Sequence, residues 1–234
     1  MTARRRGDGA RDGLDGWNDR YDDPQDPLVR RLAAVVTELR AALDTCPPGP
    51  LRLLSLCAGQ GRDVVGVLTG HPRAEDVSAV LVEFDAPTVD AGRQHASDAD
   101  VAGLGFRCAD ASQTDPILDA VPADVVLMCG VFGNLATPDV RRAITYAPAL
   151  CRPGGSVIWT RNRAEPGLVA TTSRWFAEED FDLVHVNNDS PRWSVTRHRY
   201  TGPRRPLPAA ETMFRFVGHD VLAARLNHVP GQYS

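Results

Sequence analysis

Apolar residues in the first ordered stretch recur every three or four positions, at Leu28, Leu32, Val35, Val36, Leu39 and Leu43. That spacing lays one hydrophobic stripe along a helix. Asp26-Pro27 opens it as an N-cap followed by proline at the first helical position, and Pro47-Pro48-Gly49-Pro50 stops it. The pattern predicts a helix from Pro27 to about Asp44. Beyond the stop the period changes. Short apolar runs at 51–57, 78–84, 105–109, 123–129 and 156–160 alternate with helical patterns near 61–69, 86–96, 115–120 and 138–151. Runs apolar on both faces suit parallel strands covered by helices on each side, and the alternation predicts a doubly wound α/β sheet.

A helix near 167–179 then leads to strands at 181–187 and 194–200, with a turn rich in Pro, Asp and Ser between them. So short a connection forces these two strands to pair antiparallel. The expected sheet is mostly parallel, with one reversed strand near an edge. Residues 1–16, rich in Arg, Asp and Gly, read as a disordered tail. Residues 17–48 read as an N-terminal lid and helix, 49–200 as the core domain and 201–234 as an extension. The apolar patch Met213–Val217 in that extension is suited to pack back on the core.

Composition narrows the chemistry. The 234 residues, 43% hydrophobic and 24% charged, suit one soluble domain with a sizeable core. A net charge of −4 offers no broad basic field for nucleic acid or an anionic membrane, and no apolar stretch is long enough to span one. All 26 basic residues are arginine. The lack of lysine excludes Schiff-base chemistry through lysine, a P-loop GK[ST] and a kinase-type lysine. Five scattered cysteines (Cys46, Cys57, Cys108, Cys129, Cys151) with no C-x-x-C pair suit reduced thiols in the cytoplasm, neither a disulfide frame nor a metal site.

The most informative stretch is Leu53-Leu54-Ser55-Leu56-Cys57-Ala58-Gly59-Gln60-Gly61-Arg62-Asp63, a strand ending in a glycine turn that opens a helix. Glycines there let backbone approach a ligand, and the helix presents free N–H groups; a plain tight turn has the same spacing. The turn closes the first strand, where ligands of open α/β sheets bind. The second strand ends at Glu83-Phe84, with Glu83 placed to accept both hydroxyls of a ribose or, alternatively, to sit at a helix N-terminus. The third ends at Asp110-Ala111, an acid suited to an exocyclic adenine amine or to capping the next turn. The fourth ends at Cys129-Gly130, and Leu150-Cys151-Arg152-Pro153-Gly154-Gly155 reads as a helix stop and turn before the fifth.

This ordered set resembles the class I S-adenosylmethionine-dependent methyltransferases, over about residues 51–200. The resemblance implies a seven-stranded sheet with its last strand inserted antiparallel, and S-adenosylmethionine as cofactor. It implies that Cys57, Ala58, Gly59 and Gly61 line the methionine moiety and that Glu83, with Phe84 beside it, holds the ribose. Asp110 and Ala111 face the adenine, and Cys129 and Gly130 lie beneath the adenosine. On this reading a side chain at Gly61 blocks the ligand and leaves the fold intact. The chain departs from the family at Ser55, where an acid is usual, and at Cys57, where glycine is usual. The methionine amine then needs another partner, for which Arg62 and Asp63 are at hand.

The N-terminal segment of this family often folds over the cofactor, and Trp17 to Asp23, including Tyr21, is the corresponding stretch. The implied activity is methyl transfer to O, N or C of a small-molecule acceptor. A non-catalytic sensor keeps the same fold without turnover. A nicotinamide oxidoreductase fits less well, because Val64 stands where G-x-G-x-x-G requires a small residue. His185 and His198 read as structural or solvated, and no residue is singled out as catalytic.

Overall fold

A computed structural model describes residues 18–163, 167–187 and 189–218. The expected tail, Trp17 and the end of the C-terminal extension lie outside the described residues. Seven strands form one sheet: β1 (Leu51–Leu56), β2 (Val77–Glu83), β3 (Leu104–Cys108), β4 (Ala123–Met128), β5 (Cys151–Asn162), β6 (Phe181–Val186) and β7 (Trp193–Tyr200). Their order is β3-β2-β1-β4-β5-β7-β6. The first five are parallel, and β7 runs antiparallel to both β5 and β6. This is the architecture the alternation of runs predicts.

Helices α1 (Pro27–Asp44), α2 (Arg62–Leu68) and α3 (Ala86–Asp98) cover one face, and α4 (Thr137–Leu150) and α5 (Leu168–Glu178) the other. Strand β4 shows how the sequence divides the two cores. All six of its residues are buried; Val125 and Leu127 join the α1–α3 core, while Val126 and Met128 join the opposite one. Helix α1 starts as expected, with the Asp26 carboxylate accepting the Leu28 N–H at 2.8 Å.

Two details differ from the sequence reading, and a third agrees with it. Strand β5 starts at Cys151, immediately after α4, because Cys151 pairs with Ala123 before a register shift carries the Pro-Gly-Gly segment across the sheet. The helical pattern at 115–120 closes only one 3-10 turn, Asp115–Ile117, since a segment between Pro116 and Pro122 is too short to propagate a helix. The segment after β7 does pack back: Met213 and Phe214 are buried, and isolated bridges join Gln113 to Thr212 and Leu135 to Phe216.

Candidate functional site

Because β1 to β5 are parallel, their carboxyl ends share one edge of the sheet, and four loops meet there. The β1–α2 turn requires three left-handed residues, Cys57 (φ 55°), Gly59 (φ 56°) and Gly61 (φ 66°). The Ala58 N–H donates to Val82 O at 2.9 Å, and the Gly59 N–H donates to Glu83 Oε2 at 2.9 Å. Glu83 Oε1 accepts the N–H groups of Phe84 at 2.8 Å and Asp85 at 3.1 Å. A carboxylate has about four acceptor positions, so this clasp leaves one for an outside donor. Phe84 beside it is 76% exposed, an unusual state for a large aromatic next to a buried strand.

Asp110 accepts the Ser112 N–H on Oδ1 at 2.9 Å, and Oδ2 is left for another donor. Burial pushes the Cys57 thiol up, and the Glu83 and Asp110 carboxylates push it the same way. At the end of β4, Gly130 (φ 79°) donates its N–H to Thr160 Oγ1 at 2.8 Å. A Cβ at either Gly59 or Gly130 would meet nothing within 4 Å, so the space in front of both is open. Ala58 is half-buried, and Ala111 is buried at 3% exposure, with its methyl in the core. Burial also pushes the Cys129 thiol up, aided by the Asp63 carboxylate nearby.

At Gly61 the space that a side chain would need is already filled by the core. A Cβ there would lie 2.5 Å from Leu81 Cδ2 and 3.1 Å from Phe106 Cζ. Its α-carbon faces the core, so a side chain disturbs packing before it reaches any ligand. Of the two glycines, only Gly59 opens on the loop space.

The segment before α1 sits over this turn. Tyr21, on a 3-10 turn at Asn18–Asp22, lies under the Arg62 guanidinium at 5.2 Å, and Arg62 is 3.6 Å from Asp22. At the far side of α1, a cavity of about 800 Å³ separates the helix from the β6–β7 turn, lined in part by Arg30, Glu38, His185, Arg192 and Trp193. Glu38, buried on α1, holds Arg197 at 3.0 Å and stands 3.4 Å from His185 Nε2. The other late histidine is structural. His198 accepts from Trp159 Nε1 at 3.1 Å and stacks on Phe176, and burial pushes its imidazole down to about 4.

Neither family models nor curated protein sequences match the chain. Solved structures do. An O-methyltransferase family protein from Burkholderia thailandensis aligns with 86% of this chain at 19% identity and a TM-score of 0.61; the chain spans 62% of that protein's length. Magnesium protoporphyrin IX methyltransferase from Synechocystis PCC 6803, solved with SAM bound, aligns over 81% of this chain and 91% of its own, at 14% identity and a TM-score of 0.63. A 1,6-didemethyltoxoflavin N1-methyltransferase from Burkholderia thailandensis, solved with that substrate and S-adenosylhomocysteine, aligns over 86% and 94%, at 15% identity and a TM-score of 0.59. The fold is the class I methyltransferase fold.

Within this methyltransferase fold, the described loops bring Cys57, Gly59, Glu83, Phe84, Asp110 and Gly130 to one edge, while Gly61 and Ala111 turn their Cβ positions inward. Sequence reasoning passed over Glu38. Glu38 had a visible signal: it falls on the helix face between Val35 and Ala42, where a carboxylate is buried only with a partner.

Proposed function

We propose that this chain is an S-adenosylmethionine-dependent methyltransferase acting on a small molecule in a reduced, cytoplasmic setting. One observation carries the reading. The Glu83 carboxylate is fastened to the Gly59 N–H across an open, glycine-lined space, with an acceptor position to spare. A side chain fixed in this way by three backbone donors is preorganised to receive a hydroxyl without reorienting.

On this reading Glu83 takes a ribose hydroxyl at its remaining acceptor position, Asp110 Oδ2 accepts from the adenine amine, and the exposed Phe84 ring packs on the nucleoside. Gly59 and Gly130 leave room where a Cβ would intrude. When bound, the cofactor supplies an activated methyl group on a sulfonium with a neutral leaving group. The protein's own contribution is then mainly alignment of the acceptor and exclusion of water. We place the acceptor in the cavity beside α1. There His185, oriented by the buried Glu38, is arranged to take a proton from an acceptor hydroxyl or ammonium.

Calorimetry with adenosylmethionine, adenosylhomocysteine and NAD tests the cofactor. The two adenosyl ligands are expected to bind and NAD is not. Replacing Glu83 by Ala should cost about 1–3 kcal/mol of adenosylhomocysteine binding, as for a lost charge-assisted hydrogen bond. An unchanged Kd in a folded Glu83→Ala variant removes Glu83 from the site. Methyl transfer over a metabolite panel then separates an enzyme from the sensor that the changes at Ser55 and Cys57 also suit.

A further inference from the structure

The cavity beside α1 carries charges that its own walls do not use. Arg30, on the first turn of α1, and Arg192, just before β7, line it from opposite sides, and both are exposed. Neither guanidinium makes a hydrogen bond or ion pair among the described residues. The acids are better provided for. Glu38 is buried against Arg197 at 3.0 Å, and Asp189 accepts from the Asn187 side-chain amide at 3.1 Å.

The turn that carries Arg192 is fastened to the sheet. Arg163, just after β5, donates to Asn187 O and Trp193 O, each at 3.1 Å, and its backbone N–H donates to Arg192 O at 2.9 Å. The Arg192 N–H in turn donates to Ser190 Oγ at 3.1 Å. The Arg192 guanidinium is therefore presented without a loop having to order on binding. Trp193, half-buried, adds an indole to the same lining, and Ala33 and Ala34 keep the facing helix wall low. With Glu38 balanced by Arg197, and leaving His185 aside, two cations stand against the one acid Asp189. An excess of one positive charge matches a monoanion and not a dianion. The monoanion whose two oxygens suit paired guanidinium donors is a carboxylate.

We propose that this cavity receives a small aromatic monocarboxylate, its carboxylate held between Arg30 and Arg192 and its ring against Trp193. That the bound acid is the methyl acceptor rests on the functional reading above. The preference for an acid does not; it follows from the two uncompensated guanidinia on facing walls. Both arginines are exposed, so each contributes modestly, and the preference fades as salt screens it.

Calorimetry compares 4-hydroxybenzoate and 4-hydroxycinnamate with their primary amides, which keep the ring and hydroxyl and lose the charge. Wild type, Arg30→Gln, Arg192→Gln and the double variant are titrated at low and high ionic strength. At low ionic strength wild type is expected to bind an acid about tenfold more tightly than its amide, roughly threefold from each arginine. Each single variant should lose part of that preference and the double variant all of it, with amide binding unchanged. An acid no tighter than its amide, or a preference that survives in the double variant, overturns the proposal. So does cyclohexanecarboxylate binding as well as benzoate, or the dianion phenyl phosphate binding better. Adenosylhomocysteine, titrated separately, keeps the two readings apart. If it fails to bind while the acid preference holds, the carboxylate site stands and the acceptor role falls. If it binds and the acid preference is absent, the methyltransferase reading stands and the carboxylate site falls.

Discussion

Cys57 holds a left-handed backbone, φ 55°, with a side chain attached, and that conformation costs an L-residue roughly 1–2 kcal/mol. Glycine adopts it without the clash, so Cys57→Gly is expected to raise stability by up to about 1 kcal/mol after its own entropic cost. Urea unfolding reads the gain directly; a loss would mean that the buried thiol's packing outweighs the strain. Gly61→Val should do the opposite, lowering the urea midpoint by an overpacking cost of about 1–3 kcal/mol or more, because Leu81 and Phe106 occupy the space. The sequence makes the turn legible, since a strand running into Gly-x-Gly has few alternatives. It does not reveal which way each glycine faces. That depends on Leu81 from β2 and Phe106 from β3, whose approach is a tertiary fact.

At the scale of elements, the five parallel strands were legible from their apolar runs, although β5 begins five residues before its run, and the last two strands were legible from the short turn between them. The cavity beside α1 was not. Its wall depends on Glu38 meeting Arg197 and His185, groups separated by most of the chain, and no local period encodes that meeting. The 3-10 turn at Asn18–Asp22 is held by contacts that are individually weak: an exposed ion pair from Arg20 to Asp26, Arg62 near Asp22, and the Tyr21 ring under Arg62. Such a segment belongs to the low-stability end of the molecule, where lids are drawn from. If it closes over the ligand, hydrogen exchange of residues 18–24 should slow selectively when adenosylhomocysteine is added. Identical exchange with and without ligand would reduce Tyr21 to ordinary packing on Arg62.

For the molecule as a whole, two buried groups pull stability in opposite directions with pH. His198 is held neutral, with its pKa down to about 4 against an ordinary 6.5, so the unfolded chain binds the extra proton in between. Its contribution is fully present above pH 6.5 and is lost as pH falls towards 4. Asp63 is the reverse: burial raises it to about 6 from 3.8, against Arg31 and the Val64 N–H. Its contribution is present below pH 3.8 and is lost as pH rises through 6. Asp63→Asn should therefore gain stability over wild type as pH climbs from 4 to above 6, with the difference level beyond. Urea midpoints across that range check the sign.

The insertion of β7 between β5 and β6 also sets an order of events during synthesis. Seven consecutive residues of β5, Ser156–Asn162, find their second set of partners on β7, in a segment that leaves the ribosome later than β6. Until then β5 is a bare edge, with Val157, Ile158 and Trp159 carried on an unpaired row of N–H and C=O groups. The nascent chain thus completes its sheet in the interior rather than at the rim. A stall between β6 and β7 leaves a sticky intermediate that a second copy, or a holdase, is able to cap.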